Sequence, residues 1–184
     1  KMKSNKGVFL EGIYKDCGFS SIMKYINEGL SLERLEPFIK SSILNKNMHT
    51  LNYYTHLVSY YEQSDYYEPH ADSSLYTFIV WLFKEPKAFT GGELVLNEIN
   101  HTVEIQNNMA ILFPSAANHQ VLPVKMNDGA PIDQGYGRYA ITRFMNYNPM
   151  MGNLPDELKG ICSKYDGHSY FYPMKFIRQA HGHE

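Results

Sequence analysis

The sequence has little cysteine and no long apolar run. Only Cys17 and Cys162 occur among 184 residues, which excludes a disulfide framework, a CxxC pair and zinc-finger spacing. No apolar run approaches the roughly twenty residues that span a bilayer, and the first residues lack the apolar stretch of a signal peptide. We therefore expect a cytoplasmic protein in a reducing setting, with no membrane partner.

Neither basic nor acidic residues are in large excess. Seventeen basic residues face 19 acidic ones, which gives a formal net charge of −2 and a sequence pI near 6.5. This balance provides no broad basic surface for a nucleic-acid backbone, so small-molecule or protein substrates are favoured and a nucleic-acid partner is not expected. The length suits one domain over residues 1–184 with a substantial core. The oligomeric state is left open.

The N-terminal part, residues 1–50, has the pattern of helices. Serines at 20 or 21 and at 31 precede two amphipathic segments and suit N-caps, and Pro37 predicts that the second helix begins late or kinks. The apolar residues at helical intervals are Ile22, Tyr25, Ile26 and Leu30, then Leu32, Leu35 and Ile39. We expect these helices to buttress the remainder of the domain.

From Asn52 onward the pattern changes to short aromatic and β-branched runs separated by turn residues. Eight strands in this arrangement predict a jelly-roll core over residues 53–147, made of two antiparallel sheets around an open cavity. Residues 126–135 are rich in turn formers and predict a loop that could line the cavity mouth. Residues 148–184 form a C-terminal extension with a short helix expected at 155–160. The strands are expected near 53–61, 66–72, 75–83, 92–97, 101–106, 109–113, 119–125 and 136–146.

One short motif suggests chemistry. In YEPHAD, His70 and Asp72 are two residues apart, so on a β-strand both side chains would point to one face. A second histidine, His119, follows about fifty residues later. Two imidazoles and one carboxylate with open coordination positions are the ligand set of non-haem Fe(II) oxygenases. Alone the motif is weak, since an H-x-D pair on a surface is more often solvated than metal-bound.

The motif lies in a wider context. The chain carries YYEQSDYYEPHAD, the strand TFIVWLF, the turn TGGEL, the run ILFPS before HQVLPV, and GRYAITRF, in that order. With these pieces, region 53–147 resembles the Fe(II)- and 2-oxoglutarate-dependent dioxygenases, in particular their prolyl 4-hydroxylase-like branch. The fold implied by the resemblance is mainly β, a double-stranded β-helix with a helical buttress.

The resemblance implies roles for individual residues. His70, Asp72 and His119 would hold iron, and Arg138, on the last core strand, would bind the distal carboxylate of 2-oxoglutarate. An arginine suits this role because its planar fork meets a carboxylate bidentately. Strand alternation places Thr142 on the same face as Arg138 and turns Arg143 to the opposite face. The interval from His119 to Arg138 exceeds that common in prolyl hydroxylases, by about the length of loop 126–135.

Two aromatic residues are further candidates by resemblance. Tyrosines upstream of the H-x-D pair often bond the cosubstrate in this family. Tyr60 occupies the matching offset and is preferred, with Tyr61 one residue away. Trp81 lies where the family often places an aromatic wall of the cosubstrate pocket. For each, the plainer interpretation is core filling.

The implied activity is hydroxylation of an unactivated C–H, most simply of a prolyl residue in a protein or peptide, with release of succinate and CO₂. Its cofactors would be Fe(II), 2-oxoglutarate and O₂, with ascorbate as an optional addition. Two other functions stay open: a non-catalytic jelly-roll binding module with a vestigial metal site, and a nucleic-acid demethylase of the same superfamily. The composition supports neither of them.

Overall fold

The structure is a computed structural model that describes residues 2–14 and 17–148. Two α-helices are followed by most of the strands, with short 3₁₀ helices at 10–12, 17–19, 43–50 and 97–99. The helices are α1 (Ser21–Gly29) and α2 (Leu32–Ser41). The strands are β1 (Lys3–Ser4), β2 (Lys6–Phe9), β3 (Tyr53–Tyr61), β4 (Tyr66–His70), β5 (Tyr76–Leu82), β6 (Phe89–Gly91), β7 (Leu94–Leu96), β8 (His101–Val103), β9 (Met109–Pro114), β10 (His119–Val121), β11 (Val124–Met126) and β12 (Arg138–Asn146).

One compact unit comprises Lys1–Phe9 and His56–Phe144. Its strands form two five-stranded sheets, in the orders β1-β4-β10-β7-β8 and β2-β3-β12-β5-β9, and β11 pairs with β6 in a small third sheet. The pairs β1–β4, β4–β10, β10–β7, β7–β8, β2–β3, β5–β9 and β6–β11 are antiparallel. One cavity is lined by residues of both large sheets, so the sheets face each other as in a jelly roll. The prediction of a mainly β, jelly-roll fold with N-terminal helices is confirmed.

The core of this unit follows from side-chain alternation and from one uninterrupted apolar strand. Strand β5, YTFIVWL, is buried along nearly its whole length, as expected of a β-branched and aromatic run covered on both faces. Trp81 and Leu94 are both 0% exposed, and Phe89 and Val124 pack in the same cluster. This packing joins β5, β6, β7 and β11 in one apolar cluster.

The second compact unit comprises Leu10–Thr55 and Met145–Glu184, of which the structure describes 10–14, 17–55 and 145–148. Ser20 caps α1 as predicted, its hydroxyl accepting from the Met23 amide at 3.2 Å. Helix α2 begins at Leu32 and continues through Pro37, so the predicted late start is wrong. The alternative, a kink at Pro37, stays a prediction. The buttress role and the assignment of 1–184 to a single domain stay predictions.

Several strand boundaries differ from expectation. The segment expected at 119–125 is two strands, β10 and β11, because Pro123 has no amide hydrogen to continue the ladder. The segment expected at 92–97 begins only at Leu94, and β6 before it was not predicted. Strands β1 and β2 were also missed. Residues 149–184, with the predicted helix at 155–160, lie outside the described residues.

Candidate active site

The two histidines of the motif are cross-strand neighbours. His70 ends β4, His119 begins β10, and the antiparallel register pairs them directly. Directly opposed residues of an antiparallel pair project to the same face, which brings the imidazole rings to a centroid distance of 4.3 Å. Asp72 lies two residues beyond β4 rather than on it, so the strand that was expected to carry both His70 and Asp72 ends early. Its carboxylate nevertheless reaches both rings.

The three side chains form a candidate metal centre. Within the described ranges 2–14 and 17–148, one group of histidine and acidic side chains brings its donor atoms within 4.8 Å of one another, and it is His70, Asp72 and His119. His70 Nε2 lies 3.6 Å from Asp72 Oδ1, and His119 Nε2 lies 3.6 Å from Asp72 Oδ2. Two ligands about 2.1 Å from one ion are at most roughly 4.2 Å apart, so each histidine is close enough to the carboxylate to share a metal with it.

Both imidazoles are oriented by their second nitrogen. The Nδ1 of His70 lies 2.8 Å from the Glu68 carbonyl oxygen, and that of His119 lies 2.9 Å from the Ala117 carbonyl oxygen. A carbonyl only accepts, so each Nδ1 carries the hydrogen and each Nε2 offers a lone pair toward Asp72. Burial lowers the pKa of His70, which favours the neutral ring that a metal requires.

A cavity opens beside these donors and is lined by both polar and apolar side chains. It lies wholly within the first unit and is lined by strands of both large sheets. From β12 it receives Arg138, Ala140 and Thr142, which confirms that these alternate residues share a face, and Arg143 does not line it. Lys3 and Asn5 from the N-terminal strand region also line the cavity, and sequence reasoning missed both.

Arg138 is a buried cation with free donors. Its side chain is 1% exposed, and its Nε and Nη1 have no hydrogen-bond partner among the residues that the structure describes. Its guanidinium lies over the Tyr61 ring at 4.9 Å and the Trp81 ring at 5.8 Å from the centroids. Burial lowers the pKa of Arg138 to about 10, which still leaves it charged at neutral pH. Unpaired buried donors on a cation are costly, so the geometry suits an anionic ligand.

The structure places Tyr60 away from the cavity, which corrects the preference for it over Tyr61. The Tyr60 hydroxyl donates to the Glu62 carboxylate and accepts from the Gly137 amide at 3.0 Å. Burial and the Glu62 bond raise the pKa of Tyr60 to about 12. Tyr61, one residue on and therefore on the opposite face of β3, lines the cavity and is hydrogen-bonded by Asn5.

Trp81 does not line the cavity either. It is 0% exposed, and its contact with the site is through the Arg138 guanidinium. Ile79, two residues earlier on the same face of β5, occupies the cavity wall instead. Trp81 therefore supports Arg138 rather than forming the pocket surface.

The loop that follows β11 is tied to the body of the first unit. The Asp133 amide donates to Glu62 Oε1 at 2.9 Å, and Lys84 Nζ donates to the Gln134 carbonyl at 2.9 Å. Asp133 also pairs with Lys6. None of residues 126–135 lines the cavity, so the expectation that this loop borders the cavity mouth is wrong for the structure described.

Comparison with known proteins identifies the family of this chain. The family model described as "2OG-Fe(II) oxygenase superfamily" matches residues 55–146, which is half of the chain. The chain therefore belongs to the 2OG-Fe(II) oxygenase superfamily, whose members use Fe(II), 2-oxoglutarate and O₂. No curated protein sequence matches it. Among the residues that the structure describes, no helix is long and apolar enough to cross a membrane.

Solved structures are similar in fold. A Pseudomonas putida prolyl-4-hydroxylase superposes with a TM-score of 0.52 at 15% identity, covering 80% of this chain and 74% of that one. A viral collagen prolyl hydroxylase from Paramecium bursaria Chlorella virus-1 gives 0.46 at 16% identity, covering 80% and 81%. At such identities the likeness to the bacterial enzyme shows a shared fold.

Proposed function

We propose that this chain is a dioxygenase that hydroxylates an unactivated C–H bond of a prolyl residue in a protein or peptide. His70, Asp72 and His119 would hold Fe(II), and Arg138 would bind the distal carboxylate of 2-oxoglutarate. The observation that carries the proposal is that three metal-type donors and one buried arginine with free donors line the same cavity. The choice of proline rests on the sequence resemblance and on the name of the Pseudomonas putida neighbour.

The bound cofactors supply the oxidation: one atom of O₂ enters the C–H bond as hydroxyl, and the other enters succinate as 2-oxoglutarate loses CO₂. The residues of this chain would hold and orient the metal and the cosubstrate. His70 and His119 present Nε2 lone pairs that their Nδ1 bonds keep in place. Arg138 sits deep in the cavity and would anchor the far end of the cosubstrate while its keto-acid end faces the metal donors. Tyr61 and Thr142 also line the cavity.

The first test is binding without turnover. Metal-free protein receives Fe(II) and then 2-oxoglutarate under anaerobic conditions, and the visible charge-transfer band of the chelated keto acid is recorded. We expect a band in the wild type that is lost in His119→Ala and weakened in Arg138→Ala. His101→Ala, at an exposed histidine on β8, and Arg34→Ala, at an exposed arginine, are the matched controls and should keep it. No band in folded wild type would contradict the proposal and favour a binding module.

The second test concerns the substrate. A panel of proline-containing peptides, with proline-to-alanine counterparts, is incubated with Fe(II), 2-oxoglutarate and O₂, with and without ascorbate. A mass increase of one oxygen on the proline peptides alone, stoichiometric with succinate, would support a prolyl target. Succinate formed without any oxidised peptide would support dioxygenase activity but would contradict the proline assignment. Hydroxylation that persists in His70→Ala or Asp72→Ala would contradict the ligand assignment.

A further inference from the structure

A row of hydroxyl groups lies behind Asp72. Thr77 Oγ1 donates to Asp72 Oδ2 at 2.7 Å, Ser115 Oγ lies 2.7 Å from Thr77 Oγ1, and Ser74 Oγ lies 2.6 Å from Ser115 Oγ. Thr77 and Ser115 are both 0% exposed. Thr77 lies on β5, and Ser115 directly follows β9, so the row crosses between neighbouring strands of one sheet. We call Ser74, Ser115 and Thr77 the hydroxyl relay.

The hydrogen bonds of the hydroxyl relay all run in one direction, from donor to acceptor toward Asp72. An ionised carboxylate only accepts, so the single hydroxyl hydrogen of Thr77 is committed to Asp72. The lone pairs of Thr77 are then free to accept from Ser115, and those of Ser115 to accept from Ser74. Every hydroxyl therefore donates toward the carboxylate. Bonds aligned in this way polarise one another, which strengthens the last bond to Asp72.

Ser115 also holds the backbone of the segment that carries Asp72. The Asp72 amide donates to the Ser115 carbonyl at 2.9 Å, and the Ser115 amide donates to the Leu75 carbonyl at 3.1 Å. Asp72 lies beyond the end of β4, where no ladder bond of that strand fixes it. The residue therefore owes its position to Ser115 through the main chain and to Thr77 through the side chain.

We propose that Thr77 and Ser115 are positioning residues that hold one oxygen of Asp72 and leave the other to bind the metal. A carboxylate binds a metal through one oxygen or through both. Binding through both would occupy a further coordination position, which the cosubstrate and O₂ need. With Oδ2 held by Thr77, Asp72 would bind the metal through Oδ1, which lies 3.6 Å from His70 Nε2, and would leave the remaining coordination positions open. This inference rests on the proposed function.

The test is the affinity of the protein for Fe(II) alone, measured anaerobically by titration of the metal-free full chain. Thr77→Val keeps the shape and removes the hydroxyl, and we expect affinity to fall about 10- to 100-fold, the usual effect of losing a residue that orients a ligand. Thr77→Ser restores the hydroxyl and should bind within about threefold of wild type. Ser115→Ala and Ser74→Ala should give progressively smaller losses, because they act through Thr77.

Thermal melting of each metal-free variant separates positioning from folding. A structural role alone would lower the melting temperature of Thr77→Val without a graded loss of Fe(II) affinity across the relay, and that outcome would overturn the inference. Equal Fe(II) affinity in wild type and Thr77→Val would overturn it while leaving the proposed function intact. A folded wild type that binds no Fe(II) would overturn both.

Discussion

The side chain of Arg138 packs against the backbone of Gly92. A Cβ placed on Gly92 would stand 2.9 Å from Arg138 Cδ and 2.9 Å from Val124 Cγ2, closer than real Cβ contacts occur. Gly92 also has a φ of +75°, in the left-handed region. The second glycine of the TGGEL turn therefore makes room for the arginine in the cavity, which ties a turn in the sequence to the predicted cosubstrate anchor.

Gly92→Ala should impair 2-oxoglutarate binding. The new methyl group displaces the Arg138 stem, and we expect the affinity for the cosubstrate, measured by the anaerobic charge-transfer band, to fall about 10- to 100-fold. Gly129→Ala is the matched control: its φ is +76°, but a Cβ there would meet nothing within 4 Å. Both variants should lose about 1 kcal/mol of stability from the strained backbone. Equal cosubstrate affinity in the two variants would contradict the steric explanation.

Arg138→Met should stabilise the cosubstrate-free protein while abolishing cosubstrate binding. The guanidinium is 1% exposed and carries two unpartnered nitrogens, and replacing a buried ion by an apolar side chain of similar volume often gains about 1–4 kcal/mol. Differential scanning calorimetry should show an increase of roughly 2–16 °C in melting temperature. With Fe(II) present under anaerobic conditions, 2-oxoglutarate should then raise the melting temperature of wild type only.

The pH dependence of this gain follows from the shifted pKa. Burial lowers the pKa of Arg138 to about 10, below its value in the unfolded chain. The charged form of Arg138 therefore lowers the stability of the folded protein at every pH below about 10. That cost declines only as the pH rises past this value. The stabilisation should be the same at pH 6 and pH 8. Arg138→Lys keeps a buried charge and should not stabilise; a less stable Arg138→Met would show that the contacts with Tyr61 and Trp81 outweigh the desolvation.

The pairing of His70 with Asp72 and the shared face of Arg138 and Thr142 could be predicted because each depends on a local rule, whereas the choice of His119 and the role of Arg138 came from the resemblance. The spacing in YEPHAD and the alternation along RYAIT each fix which side chains lie together, once a strand is assumed. The strand assumption itself failed for Asp72, which the Ser115 carbonyl holds beyond β4. That contact joins residues distant in sequence, so no local pattern reports it.

The choice between Tyr60 and Tyr61 shows where alternation stops being informative. Alternation says that the two tyrosines face opposite ways, but not which one faces the cavity, because β3 carries aromatic or apolar side chains on both faces.

Strands β1 and β2 were also missed from the sequence. They are two and four residues long and largely exposed, and they exist because β4 and β3 pair with them.

Mutation to phenylalanine should have different effects at Tyr60 and at Tyr61. Tyr60→Phe removes the bonds to Glu62 and Gly137, so we expect a loss of about 1 kcal/mol in the free energy of unfolding and little change in cosubstrate affinity. Tyr61→Phe removes a hydroxyl from the cavity wall and should raise the 2-oxoglutarate dissociation constant roughly fivefold. Urea unfolding and the charge-transfer titration measure the two effects. The reverse pattern would restore Tyr60 as the cosubstrate contact.

Tyr67 should contribute to metal affinity through His70. The two rings are stacked with centroids 3.6 Å apart and an interplanar angle of 16°, so the phenol ring covers one face of the imidazole. Removing it in Tyr67→Ala frees the ring to rotate, and we expect Fe(II) affinity to fall about tenfold.

Tyr67→Phe keeps the stacked ring and should bind Fe(II) within about twofold of wild type, which makes it the matched control for the alanine variant. Anaerobic Fe(II) titration of both variants, with melting of the metal-free forms to exclude unfolding, is the measurement. If Tyr67→Ala binds Fe(II) as tightly as Tyr67→Phe, then the bond from His70 Nδ1 to the Glu68 carbonyl at 2.8 Å is sufficient to hold the imidazole. Weak binding in both variants would instead assign the effect to the phenol hydroxyl.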